Sequence, residues 1–112
     1  VRALAELLPT GAVQREDAAA WVAFGAAAST RPWLADTYWE ALQIMRTWVE
    51  GILTDARKAG RMRVDLSPAE GARLVTAVVN GLTLDLLNAP PTESDEVIGQ
   101  LRSGLGLILR GL

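Results

Sequence analysis

Apolar residues recur along this chain at steps of three and four, and clusters of Pro, Gly, Ser and Thr interrupt them. That spacing gathers side chains on one face of an α-helix, whereas a half-buried strand needs strict alternation. No alternation persists beyond a few residues, so the pattern predicts an all-α protein. The breaks mark off five helical pieces. Residues 1–8 carry Leu4, Leu7 and Leu8 and read as the tail of a helix that starts upstream, ended by Pro9, Thr10 and Gly11. A second helix is predicted over about 13–28, with Val13, Ala20, Trp21, Phe24 and Ala28 on its apolar side. Ser29 to Pro32 break the chain, with Thr30 as the expected N-cap of the next helix.

The third helix, about 32–59, is the longest. Leu34, Tyr38, Leu42, Met45, Val49, Ile52 and Ala56 form a continuous stripe, and Trp39 and Trp48 widen it. Gly60 suits a left-handed cap after Ala59. Ser67-Pro68-Ala69-Glu70 is a strong start signal for the fourth helix: Ser67 can cap, Pro68 fits the first turn and Glu70 can close a capping box. That helix runs to about residue 87. Leu74, Val75, Val78, Val79, Leu82, Leu84, Leu86 and Leu87 make it apolar almost all round, so it must be covered on several sides. A chain this short cannot cover them all, which points to a partner surface. After Asn88-Ala89-Pro90-Pro91, Thr92 or Ser94 can cap a fifth helix. Its main stripe is Val97, Leu101, Leu105, Ile108 and Leu112, and Ile98, Leu107 and Leu109 make a second edge. The expected architecture is an antiparallel bundle of about five helices in one domain, residues 1–112.

Composition narrows the chemistry. The 112 residues contain no Cys and no His. Disulfides, thiolate nucleophiles, most zinc sites and imidazole acid–base catalysis are thereby excluded. Carboxylates remain, but Glu40 and Glu50 fall on solvated faces, and Asp85 reads as a partnered polar group on an apolar helix. No enzyme, cofactor or metal is expected. The net charge is −2, and no charge-free run reaches the length of a membrane span, about 18 residues. DNA-binding domains usually carry a basic face. Here the nearest cluster is Arg57, Lys58, Arg61 and Arg63, which reads as cations complementing a helix C-terminus.

The aromatic residues all fall between Trp21 and Trp48, with Met45 among them. Large rings with polar handles, beside an adaptable thioether, suit an apolar cavity between helices. Ordinary core packing is the competing reading. The candidate ligand-binding residues are Trp21, Phe24, Tyr38, Met45, Trp48 and Thr83. Asn80 and Gln43 are polar groups that could supply a hydrogen bond, although Gln43 reads better as a surface residue.

Three local patterns, in this order and spacing, resemble the C-terminal domain of TetR-type transcriptional repressors of the betaine-regulator-like branch. They are Trp21-Val22-Ala23-Phe24-Gly25-Ala26-Ala27-Ala28 with Pro32-Trp33-Leu34, then residues 56–68, then residues 72–84. Where that branch often has Asp before the Gly-Leu pair, this chain has Asn80. The resemblance implies a domain that senses a small apolar or aromatic effector and forms a homodimer through its last two helices. By the same match, Ala77, Gly81, Leu84, Asp85 and Asn88, with Leu101, Leu105 and Ile108, are the dimer candidates. It further implies a cytoplasmic protein without membrane association. DNA would be contacted only through an N-terminal helix-turn-helix domain, which is expected to be absent from this chain. The alternative is a helical dimerisation module without a small ligand.

Overall fold

The computed structural model describes residues 12–110. Four α-helices occupy them: α1 (Ala12–Ala28), α2 (Pro32–Lys58), α3 (Pro68–Asn88) and α4 (Ser94–Arg110). A single 3₁₀ turn, Pro91–Glu93, leads into α4. No strand occurs among the described residues, as the spacing predicted. Four of the five expected helices thus fall among the described residues. The expected first piece, residues 1–8, with its break at Pro9–Gly11, lies outside the described residues, as do Gly111 and Leu112.

The helix ends follow from local chemistry. Ser67 is extended (φ −70°, ψ 151°), and its Oγ accepts from the Glu70 amide at 3.1 Å. The Glu70 carboxylate accepts from the same hydroxyl at 3.3 Å instead of reaching the backbone, so half of the expected box forms. Pro32 starts α2, which makes Arg31 the cap in place of Thr30. The Thr30 hydroxyl donates to the Ala27 carbonyl. Thr92 sits inside the 3₁₀ turn and Ser94 is already helical (φ −59°, ψ −42°), so neither caps α4 from an extended conformation. At the end of α2, Gly60 takes φ +72°. Its amide reaches the Arg57 carbonyl at 3.0 Å and the Arg61 amide reaches the Ala56 carbonyl at 2.8 Å. This paired arrangement satisfies carbonyls that a helix end leaves open.

α3 is the hub: it packs against α1, α2 and α4. The core joins Val49 and Leu53 of α2, Val75, Val79 and Leu86 of α3, and Val97, Leu101, Leu105 and Leu109 of α4. Met62 of the α2–α3 connector plugs into it, and the Arg63 amide donates to the Leu109 carbonyl at 2.8 Å. Thr76 is buried among these side chains, and its hydroxyl donates to the Ala72 carbonyl at 2.9 Å. Leu101 and Leu105 are 0% exposed. They pack in the chain's own core, with Val75 and Val79 of α3.

Two glycines on α2 carry opposite predictions. A left-handed non-glycine residue costs roughly 1–2 kcal/mol. Gly60→Ala should therefore lower unfolding free energy by about that amount. Gly51 lies in the exposed middle of α2, and a Cβ there meets nothing within 4 Å. Gly51→Ala should raise stability by about 1 kcal/mol through helix propensity. Urea unfolding followed by circular dichroism checks both signs.

Candidate functional site

Trp21 and Phe24 lie on the face of α1 that meets Tyr38 of α2. Trp21 stacks on Tyr38 with ring centroids 4.8 Å apart. Phe24 meets both rings edge-on, at 6.0 Å from Trp21 and 5.6 Å from Tyr38. These distances match favourable aromatic pairing, so the three rings form one packed unit. Gly25 makes the approach possible: a Cβ there would lie 3.1 Å from Tyr38 Cε2. The Trp21 indole N–H donates to Asn80 Oδ1 on α3 at 3.4 Å, a long bond that ties the unit to the third helix. Three of the six expected ligand residues thus converge where α1, α2 and α3 meet.

The other three spread out. Met45 is half-buried two turns beyond Tyr38, on the same edge of α2. Trp48 is 50% exposed. Thr83 is buried on the core side of α3. The rings are in mutual contact, so in this conformation they enclose no void between themselves. A cleft of about 800 Å³ lies elsewhere, between the end of α2, the connector and the end of α4. Its lining includes Ile52, Met62, Leu109, Arg61 and Arg110, and none of the six expected residues. Arg57 and Lys58 end α2 and Arg110 ends α4, where cations complement the helix dipoles. Beside them, Arg63 and Asp65 form a twofold hydrogen-bonded pair at 2.6 Å. The hydrogen bond from Arg63 holds the Asp65 carboxyl below the usual carboxylate range, and the same bond raises the Arg63 guanidinium. The pair is largely exposed and contributes little to stability.

Two contacts were not foreseen from the sequence. The Arg15 guanidinium donates to the Leu86 and Leu87 carbonyls at 3.4 and 3.2 Å, clasping α1 to the C-terminal end of α3. A cation there also complements the helix dipole. On the far edge of α2, the Arg46 guanidinium lies 4.9 Å from the Trp39 ring centroid. The Gln43 carbonyl, in the orientation that satisfies its neighbours, accepts from Trp39 Nε1 at 3.1 Å and Arg46 Nη1 at 3.0 Å. Gln43 is half-buried there rather than a free surface residue. The spacing 39, 43, 46 is the only signal that could have suggested this cluster, because it places all three on one face.

The outer face of α3 is uncovered. Leu74 and Leu84 are 46% and 48% exposed, and Ala77, Gly81, Asp85 and Asn88 are exposed between and beyond them. On α4, Ile108 is half-buried and Leu107 is exposed. Gly104 faces Val78 of α3, with a Cβ position 3.7 Å from Val78 Cγ1. Five of the eight expected dimer residues therefore lie on one open face of α3.

Three helices pack around a central one, α3, with an aromatic junction on one side and apolar residues exposed on another. The family model described as BetI-type transcriptional repressor, C-terminal, matches residues 1–110, and the chain belongs to that family. It is a TetR-family C-terminal domain of the betaine-regulator branch. No curated protein and no solved structure matches the chain. Among the described residues, no helix is long and apolar enough to cross a membrane, and no group of His, Cys, Asp or Glu could hold a metal ion.

The close approach at Gly25 yields a prediction. Gly25→Ala forces the Tyr38 ring to move by a few tenths of an ångström. The near-ultraviolet circular dichroism of the stacked Trp21–Tyr38 pair should fall while the far-ultraviolet helical signal is retained.

Proposed function

We propose that this chain is the effector-sensing and homodimerisation domain of a TetR-like repressor. Its aromatic junction would take a small apolar or aromatic molecule, and its α3 outer face would meet a second copy. DNA would be contacted through a separate N-terminal domain. The family membership points away from catalysis, in keeping with a chain free of Cys and His.

The observation that carries the reading is that α3 serves both surfaces. Its Asn80 accepts from Trp21 in the aromatic junction, and its exposed side presents Leu74 and Leu84 to solvent, with Leu84 one turn beyond Asn80. The rings touch one another, so an effector must part them to enter. Parting Trp21 from Tyr38 strains the bond to Asn80 and lets α1 shift against α3. An effector that binds the parted arrangement more tightly shifts the population toward it by that difference in affinity. Ala77, Gly81, Leu84, Asp85, Asn88 and Ile108 remain as dimer residues in this reading. Trp21, Phe24 and Tyr38 are the primary ligand contacts. Met45 lies further along the same edge of α2, while Trp48 and Thr83 become contacts only if the helices rearrange.

Two measurements test the two halves separately. An apolar aromatic effector should quench tryptophan emission saturably, and Tyr38→Ala should weaken that binding at least tenfold. Absence of saturable quenching across a broad panel of small apolar and aromatic compounds contradicts the sensor. Leu84→Glu places a charge on the exposed face without touching the core. It should convert a dimer to a folded monomer in sedimentation equilibrium, and a mass unchanged from the parent dimer contradicts the interface.

A further inference from the structure

The cleft at the far end of α2 has a chemistry of its own. It opens where the C-terminal end of α2, the connector and the C-terminal end of α4 meet. Ile52 and Tyr38 stand fourteen positions apart on α2, about 21 Å along the helix axis, so the cleft is separate from the aromatic junction. Leu53, Met62 and Leu109 are buried in its wall, and Ile52 and Ala56 are half-buried beside them. Its volume, about 800 Å³, lies in the range of pockets that take small organic molecules. Charge accumulates at its rim. Arg57, Lys58, Arg61, Arg63 and Arg110, five of the 11 basic residues, gather at this end of a chain whose net charge is −2. This end therefore attracts anions although the chain as a whole is acidic.

We propose that this cleft is a second binding site, for a small organic acid with an apolar body, distinct from the effector site proposed above. The body rests on Ile52, Met62 and Leu109, and the carboxylate meets Arg61 and Arg110. These two guanidinium groups line the cleft and are exposed, and among the described residues neither has an ion-pair or hydrogen-bond partner of its own. The neighbouring cations are already engaged: Arg63 is held by Asp65, and Arg57 donates to the Val64 carbonyl at 2.9 Å. A guanidinium suits a carboxylate because its planar fork donates two parallel hydrogen bonds. Two features oppose an anion here, and both are offset. Asp55 is the one carboxylate among the lining residues, against the two available arginines. The C-termini of α2 and α4 carry partial negative charge. Their Asp55, Ala56, Arg57 and Leu109 carbonyls, however, already accept from the Ala59, Arg61, Gly60 and Arg63 amides.

Equilibrium dialysis of the full chain against decanoate tests the site. Saturable binding is expected, weakening as salt is raised. Decyltrimethylammonium, with the same tail and the opposite charge, should not bind. Arg61→Gln together with Arg110→Gln removes both charges from exposed positions and should weaken decanoate roughly tenfold or more. Ala56→Leu narrows the cleft while leaving both arginines in place, and should weaken it as well. Circular dichroism should show unchanged helix content in both variants. Tyr38→Ala, in the aromatic junction, should leave decanoate binding as it is in the parent. Absence of saturable decanoate binding overturns the proposal, as does parent-like affinity in the arginine double variant or equal binding of the cationic analogue. Binding that Tyr38→Ala abolishes and the arginine double variant retains places decanoate in the aromatic junction, which overturns the cleft and leaves the effector reading standing.

Discussion

A helix that is apolar almost all round cannot be left in water, and α3 is such a helix. Burying its Val75, Val79 and Leu86 requires α2 and α4 on one side, and the remaining flank at Asn80 and Leu87 is met by α1. The other helices are arranged by that need. The long amphipathic α2 offers Val49 and Leu53 to the same core, and α4 offers four aliphatic residues at steps of four. Three neighbours still leave the face of Leu74 and Leu84 uncovered. That face is the one the proposal gives to a second copy.

The proposed coupling between sensing and assembly would run through the same helix. Among the described residues, two polar links join α1 to α3, at Trp21–Asn80 and from Arg15 to the last turn of α3. The Trp21 bond is long at 3.4 Å, and the Arg15 contacts lie at 3.4 and 3.2 Å. The apolar core between α2, α3 and α4 is far more extensive. A displacement of α1 would act on α2 as well as on α3, and through α3 on the surface proposed for the second copy.

Much of the fold was legible because strong local rules agreed. The Ser67-Pro68-Ala69-Glu70 start, the Gly60 stop and the three-and-four periodicity of α2 all gave the right helices, since capping chemistry and burial pointed the same way. Thr30 misled because Pro32 fixes the first helical position and leaves the cap to Arg31. Leu101 and Leu105 show the limit of periodicity: an apolar stripe says that a residue is covered, but not whether its own chain or a partner covers it. The aromatic cluster divides in the same way. Trp21, Phe24 and Tyr38 meet because their faces of α1 and α2 meet, whereas Trp48, ten residues beyond Tyr38, turns toward solvent. Contacts between helices, such as Arg15 with the end of α3, depend on crossing geometry that no local spacing encodes.

The central claim is that a second copy covers the outer face of α3. The chain has no cysteine, so Gly81→Cys creates a unique site for a nitroxide label. Helices in contact lie about 8–10 Å apart, close enough for strong dipolar broadening between two labels. The account predicts a broadened spectrum that sharpens when labelled chains are diluted with unlabelled ones. A sharp spectrum in a sample that sedimentation shows to be dimeric would contradict it.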